Sequence, residues 1–360
     1  MDNSSKKQIE DLLLSSGFTH SDSVPTKHTK SYDFSEEVIL VTGAAGSIGS
    51  GLTAHILQCR FKSLILIDNA ETALFYLKSR VKLPENTSSE IRFLLKDVRD
   101  HESMALLFDT YKPTLIFHAA AYKHVALLEE NAYEALRLNI LATASLANLC
   151  LKNEVKRFVF ISTDKAVNPI NTMGLTKHIA ELYLDTLNTK PNTTKFISAR
   201  FGNIFGSNGS VVPLFLEHIK NNEAIIVKNR NTTRYFIDKA RACDLLLQLG
   251  LKHNNIVFGT VTFNMGDPIK IIDLAKVLLK LHHKAINDST LKITKLDVME
   301  KEHELIVAPN EECIKSDMED IYVVKRRTAK TLSLSTIENV DSSYTNTEIQ
   351  RLLKAIIGLS

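Results

Sequence analysis

The stretch VFISTDKAVNPINTMGLTKHIAE (159–181) sets a hydroxyl, an acid and an amine side by side, Thr163, Asp164 and Lys165, just after an apolar run ending at Ile161. At a strand end such a trio supplies the parts for proton transfer. For Lys165 to act as the base it must be neutral, which burial or a nearby cation would favour. A helix starting after Pro169 carries Met173 and Lys177, four apart and therefore on one face. An adjacent acid and amine in a loop can also be a plain ion pair of little energetic weight. Position favours chemistry, because open α/β sheets bind their ligands outside the carboxyl ends of the strands.

A second constellation points to what would bind there. In VILVTGAAGSIGS (38–50), an apolar run breaks into Gly43, Gly46 and Gly49, after which Ile48, Leu52 and Ile56 recur at helical spacing. This predicts a tight strand-to-helix turn whose helix N-terminus, at Ser47 and Ile48, receives a pyrophosphate. A second apolar run, LILID (64–68), ends in Asp68, 19 residues after Gly49. A carboxylate there accepts from both hydroxyls of an adenosine ribose and repels a 2′-phosphate, favouring NAD over NADP. In KDVRD (96–100), Asp97 with Val98 is placed to meet the adenine, while Asp97 or Asp100 could equally cap the next helix. In FHAAAYKHVALLEEN (117–131), His118 through Ala119, Ala120 and Ala121 can lie flat against the cofactor, and Lys123 and His124 follow at the sheet edge as substrate contacts. SARFGNIFGSNGSVVPLF (198–215) offers Arg200, Asn203 and a Gly/Ser loop reaching Ser210. With Arg234 of TTRYF these are guanidinium and amide donors suited to a diphosphate, and Asn168 is counted among the same contacts. Asp164 and Lys165 are then expected beside the nicotinamide end of the cofactor.

Positioning these groups requires a sheet. Short apolar runs at 38–42, 64–68, 91–95, 114–118, 157–161 and 195–199 alternate with helical patterns. They predict an α/β fold, a Rossmann-type doubly wound parallel sheet with a smaller C-terminal substrate-binding lobe. The expected organisation is an N-terminal extension (1–35), a dinucleotide-binding domain (36–203), a mainly substrate-binding lobe (204–330) with some segments returning to the first domain, and a C-terminal tail and helix (331–360). One long helix is expected from about 129 to 151. Residues 261–281 read as a strand, a turn at Gly266 to Pro268 and an amphipathic helix. Ile9, Leu12, Leu13 and Leu14 suggest a short amphipathic helix docking on the body of the protein, followed by a loose linker.

Over 360 residues, 44 basic and 41 acidic side chains leave a formal charge of +3, too balanced to argue for nucleic acid or a membrane surface. Four scattered cysteines without C-x-x-C spacing read as reduced thiols. No apolar stretch is long enough to span a bilayer and the polar N-terminus is not a signal peptide, so a cytoplasmic protein without membrane insertion is expected. No metal site is expected.

The motifs VTGAAGSIGS, AAAYKHV, ISTDKAVNP, MG-x-x-K, RFGN and TRYF, in this order over about residues 36–275, resemble those of extended short-chain dehydrogenases. Within that group the chain is most similar to the nucleotide-sugar 4,6-dehydratases of bacterial polysaccharide and protein glycosylation, with IEDLL (9–13) a weaker likeness. The branch resembled dehydrates UDP-N-acetylglucosamine and includes long forms with an N-terminal membrane domain; a soluble short form, working as a homo-oligomer, is expected here. The resemblance implies C4 oxidation, loss of water across C5–C6 and hydride return to C6. It implies Asp164 as the acid, Lys165 as the base, Thr163 polarising the C4 oxygen and Lys177 holding the nicotinamide ribose. The superfamily's active-site tyrosine is Met173 here, a replacement that resembles the members retaining configuration at C5, with UDP-2-acetamido-2,6-dideoxy-α-D-xylo-hex-4-ulose as product. Other departures are Gly51 for an acid, Ala126 for a proline, and MEKEHELIV (299–307) where the family carries R-P-G-E-K-L, a run that helps bind the uridine; Glu304 is the candidate for its acid. Alternatives are a C5-inverting dehydratase, a nucleotide-sugar 4-epimerase and a catalytically silent NAD-sensing regulator.

Overall fold

The computed structural model describes residues 3–18, 31–81, 89–251, 258–327 and 331–359. The first half supplies β1 Asp33–Thr42, β2 Arg60–Asp68, β3 Glu90–Leu95, β4 Leu115–His118, β5 Arg157–Thr163 and β6 Lys195–Phe201. The second half supplies β7 Asn203–Ile204, β8 Ile225–Lys228, β9 Thr233–Arg234, β10 Phe236–Ile237, β11 Gly259–Phe263, β12 Ile269–Lys270, β13 Leu291–Thr294, β14 Glu311–Lys315 and β15 Ile321–Arg326. Nine of these form one sheet in the order β14-β15-β11-β6-β5-β4-β1-β2-β3. The strands from β3 to β11 in that order run parallel; β15 and β14 run antiparallel at one edge. The order reverses between β1 and β4, which opens a crevice at their carboxyl ends.

The helices are α1 Asn3–Ser15, α2 Ser47–Ile56, α3 Glu71–Arg80, α4 His101–Tyr111, α5 Val125–Glu129, α6 Ala132–Ala135, α7 Thr143–Lys152, α8 Thr172–Asn188, α9 Val211–Lys220, α10 Lys239–Gly250, α11 Ile271–Leu281 and α12 Asn346–Ile357. Parallel strands covered on both faces read as continuous apolar runs. Accordingly Ile39 and Val41 pack with Leu52 of α2 and Leu245 of α10 on one face. Leu40 packs with Phe108 of α4, Leu146 of α7 and Leu184 of α8 on the other.

The helix expected over about 129–151 is present as one continuous run from Ala132 to Lys152, in which residues Leu136–Ala142 form a π-helical segment between α6 and α7. Within that segment the buried amide of Asn139 bonds the backbone of Tyr122 in both directions, at 3.0 and 3.1 Å, and donates to Thr176 Oγ1 at 3.1 Å. The last two strands of the sheet, β14 and β15, carry no parallel-strand signature because they form an antiparallel edge.

The N-terminal helix docks on the chain's own body. Ile9 and Leu13 are fully buried against Phe205, Val212, Ile269 and Ile272, each stabilising by about 2 kcal/mol. The linker expected after it falls largely outside the described residues. At the other end, α12 buries Ile349 and Leu353 against residues of α6 and α8, and its capping box of Thr345 and Glu348 fixes its start. Among the described residues no helix is long and apolar enough to cross a membrane, and no group of His, Cys, Asp or Glu is placed to hold a metal.

Candidate active site

The glycine turn forms because Gly43 and Gly49 lie where a side chain would collide. Gly43 has φ +62°, and a Cβ on it would lie 2.7 Å from Ala120 Cα; one on Gly49 would meet Gly43 O at 2.1 Å, so α2 starts in contact with the turn. Gly51, where the family carries an acid, is covered by α10, with Cys243 Sγ 2.6 Å from an added Cβ. Beyond the turn lies a cavity of about 250 Å³ at the β1/β4 reversal. Gly43, Gly46, Asp68, Asp97, Val98, Ala119, Ala120 and Ala121 all line it. Both Asp68 oxygens accept backbone N–H groups, from Ala45 and Ala70 at 2.9 Å each, and each keeps a lone pair for a further donor. Asp97 is bound by Arg99 at 2.6–3.0 Å and by Asn69 at 3.2 Å, and the Arg99 guanidinium holds its carboxyl at about 2. The helix cap is Asp100, which accepts from Ser103 N at 3.0 Å.

Ser47, Ile48, Gly49 and Lys177 do not line the cavity. Ser47 Oγ accepts from Asn208 N at 3.0 Å, and Ile48 packs into the core. His118 departs from its expected place against the cofactor. Its ring is turned into the protein between Thr42 Oγ1 (2.7 Å) and Thr143 Oγ1 (2.9 Å), and burial pulls it down to about 3, with the Lys177 charge acting the same way.

The Gly/Ser loop gathers a second group. Lys123 Nζ donates to Asn208 O at 2.7 Å, and the His124 ring lies so near Gly209 that an added Cβ would be 2.7 Å from its Cε1. Ser210 begins α9 with its hydroxyl buried and without a hydrogen bond among the described residues.

The third group is the acid–base loop at the end of β5. Thr163 Oγ1 donates to Asp164 Oδ1 at 2.9 Å, and Lys165 Nζ lies 3.0 Å from the same oxygen and 3.4 Å from Asn203 Oδ1. Asp164 is wholly buried and its Oδ2 has no hydrogen bond among the described residues, while the Lys165 side chain is 20% exposed. The loop is held against α8 through Gly174: a Cβ there would lie 2.4 Å from Lys165 O. Asn171 caps α8 by accepting from Gly174 N at 2.8 Å. Met173 is buried among Val125, Leu128 and Ala135. Lys177 stands with Nζ 4.1 Å from the Phe160 ring centroid, and burial pulls its ammonium from 10.5 to about 7 against the opposing charge of Glu181.

Neither Asp164 nor Lys165 lines the 250 Å³ cavity. Residues 299–304 pack against their loop, with Lys301 Nζ donating to Val167 O at 2.7 Å and Glu304 Oε1 lying 3.6 Å from Lys165 Nζ. Asn168 is exposed with φ +44° and stands apart. Arg234 is buried and donates to Thr233 O (2.7 Å) and Glu302 O (3.1 Å). Arg200 is not a diphosphate donor. Its guanidinium is fully buried between Glu181 (2.7–3.1 Å) and Glu311 (2.7–2.9 Å), in a cluster completed by Arg326, which donates to Glu181 at 2.8 Å. Sequence reasoning missed Lys301, which bonds this loop, and Asn139, which ties Tyr122 to α8; Gly174 lies in the MG-x-x-K run.

The sequence profile described as polysaccharide biosynthesis protein matches residues 39–326. The capsular polysaccharide biosynthesis protein CapD of Staphylococcus aureus is 38% identical over 81% of this chain and 48% of its own length. The UDP-N-acetylglucosamine 4,6-dehydratase (inverting) of Campylobacter jejuni serotype O:2 is 29% identical over 81% of this chain and 83% of its own length. Among solved structures, Pen from Bacillus thuringiensis superposes with a TM-score of 0.71 at 26% identity, covering 91% of this chain and 99% of Pen. This chain thus spans about half the length of the staphylococcal relative. A profile match across most of the chain, on a doubly wound sheet with its crevice at the glycine turn, leads to one conclusion: the chain belongs to the polysaccharide biosynthesis protein family.

Proposed function

We propose that the chain is an NAD-dependent UDP-N-acetylglucosamine 4,6-dehydratase that retains configuration at C5 and makes UDP-2-acetamido-2,6-dideoxy-α-D-xylo-hex-4-ulose. The observation that carries the reading is the Asp164–Lys165 pair, 3.0 Å apart at the end of β5, with Thr163 donating to the same carboxylate. The residues around the 250 Å³ cavity fit a dinucleotide: Gly43 and Gly46 leave the backbone bare for a pyrophosphate, and Asp68 keeps lone pairs free for a ribose diol. NAD, when bound, supplies an acceptor that takes a hydride from the sugar and later returns it, so no net oxidation results.

The rest of the chemistry belongs to the protein. Asp164 and Lys165 share one proton across 3.0 Å. Moved from the ammonium to the carboxylate, it leaves a neutral acid and a neutral amine, the two forms an elimination consumes. Asp164 then protonates the C6 hydroxyl, which departs as water, and Lys165 takes the C5 proton. A proton from Lys165, exchanged with solvent, returns to the same face of C5 and retains its configuration. The Thr163 hydroxyl, turned from Asp164 to the sugar, polarises the C4 oxygen and passes the proton that the C4 hydroxyl loses on oxidation to solvent; the pair regains one proton from solvent after turnover, and Lys177 holds the nicotinamide ribose. Asn203, Lys123, His124 and Ser210 line the approach for the nucleotide sugar, with Arg234 bracing the segment beside them.

The Campylobacter relative is named for the inverting reaction. Retention is favoured here by Met173, which has no proton to give or take where a tyrosine would stand. The test is incubation with UDP-N-acetylglucosamine and NMR of the product. A C6 methyl, a C4 ketone and unchanged C5 configuration support the reading, together with loss of activity in Asp164→Asn. A 4-epimer without a methyl, or Asp164→Asn as active as wild type, overturns it.

A further inference from the structure

Residues 299–304 strap the acid–base loop to the strand that carries Arg234. On one side Asn171 Nδ2 donates to Met299 O at 3.0 Å, and Lys301 Nζ donates to Val167 O at 2.7 Å. On the other, Glu302 O accepts from Thr233 N at 3.0 Å and from Arg234 Nη1 at 3.1 Å, and His303 Nδ1 lies 2.8 Å from Thr233 Oγ1. Held from both sides, the strap sets Glu304 into the interior with its side chain 3% exposed. Its Oε1 is 3.6 Å from Lys165 Nζ and its Oε2 is 3.3 Å from Lys301 Nζ, with no hydrogen bond to Oε2 among the described residues. A carboxylate buried to this degree is costly unless cations hold it, and the two that do are the lysine of the acid–base pair and its neighbour on the strap.

From this geometry we infer that Glu304 is the positioning residue of the acid–base pair, the second carboxylate that holds the Lys165 nitrogen when Asp164 carries the proton. The inference rests on the reading that Asp164 and Lys165 perform the elimination. When the proton passes from Lys165 to Asp164, the ion pair between them disappears and the amine loses its anchor. Glu304 then accepts one of its remaining N–H groups and fixes where the lone pair points. The Lys301 ammonium at 3.3 Å offsets the Glu304 charge, so the carboxylate holds Lys165 without trapping the proton on it. The segment that stands where the family carries its uridine-binding run therefore acts on the sugar chemistry.

The test uses the full chain and its Glu304→Gln and Glu304→Asp variants. With UDP-N-acetylglucosamine, Glu304→Gln lowers kcat about 100-fold, the scale of a mispositioned catalytic group, leaves KM and bound dinucleotide little changed, and is partly rescued by Glu304→Asp. An unchanged kcat, or a raised KM with kcat intact, overturns the inference, the latter by making Glu304 a nucleotide contact. A second readout needs no substrate: acylation of Lys165 by acetic anhydride, followed by peptide mass spectrometry at neutral pH. It runs faster in Glu304→Gln than in wild type because the nitrogen, no longer held by the second carboxylate, is freer to reach the reagent, and equal rates overturn the inference. If wild type forms no 4-keto sugar, the functional reading fails and the labelling comparison alone decides on Glu304. Should Glu304→Gln not fold, wild type against Glu304→Asp carries both readouts, with the same equality as the refuting result.

Discussion

Lys177 is a buried charge, and removing it should make the protein more stable. Burial pulls its ammonium from 10.5 to about 7, so the folded state resists a proton that the unfolded chain accepts readily. The cost is full below about pH 7, is relieved as pH rises from 7 to 10.5, and is gone above that. At pH 7 it amounts to roughly 4 kcal/mol and at pH 9 to roughly 2 kcal/mol. The contact with the Phe160 ring returns about 1 kcal/mol of this. Lys177→Met, which keeps the length of the apolar stem, should therefore raise the unfolding free energy at pH 7 by about 3 kcal/mol. The assay is urea unfolding of ligand-free protein at pH 7, 8 and 9, wild type against variant. Wild type gains about 2 kcal/mol more than the variant across that range. A destabilised variant, or parallel pH dependence in the two proteins, would refute the reasoning. If Lys177 holds the nicotinamide ribose as proposed, the same variant should lose the dinucleotide.

Other expectations follow from single contacts. Gly174→Ala puts a Cβ 2.4 Å from Lys165 O, so kcat should fall about 100-fold while dinucleotide binding, measured by fluorescence titration, stays intact. Glu181→Gln leaves Arg200 and Arg326 short of their shared carboxylate, which should cost about 3–5 kcal/mol in urea unfolding; a loss within error of zero would show that the cluster is not a closed ion network. Asp68→Ser removes the charge expected to repel a 2′-phosphate, so NADP should gain on NAD in competition titrations; an unchanged ratio contradicts the role given to Asp68.

How much of this was legible in the sequence depended on distance along the chain. The glycine turn, β2 and Asp68 lie within 30 residues, and their glycines and apolar runs specify the turn and crevice locally. The Thr163–Asp164–Lys165 trio and its place at a strand end were equally local. Arg200 was misread because its partners Glu181 and Glu311 lie 19 and 111 residues away, and nothing in RFGN tells a buried structural guanidinium from an exposed one. His118 was misread for the same reason: Thr42 and Thr143, which turn its ring inward, come from β1 and α7. The long helix was legible from its alanines and leucines, while its π-helical segment, where Asn139 meets the backbone of Tyr122, left no mark on helical periodicity. Glu304 stood out in sequence only as a stand-in for a missing motif, and its proximity to Lys165 required the strap to fold back across 139 residues.

The central claim, that this chain moves a hydride from C4 to C6 of a hexose while Asp164 and Lys165 expel water, is tested most directly by isotope tracing. UDP-N-acetylglucosamine carrying deuterium at C4, converted in ordinary water and read by NMR, should give a 4-keto product with the deuterium in its C6 methyl. The same reaction with unlabelled substrate in heavy water should place solvent deuterium at C5. Deuterium remaining at C4, or a product that keeps its C6 hydroxyl, would contradict the account.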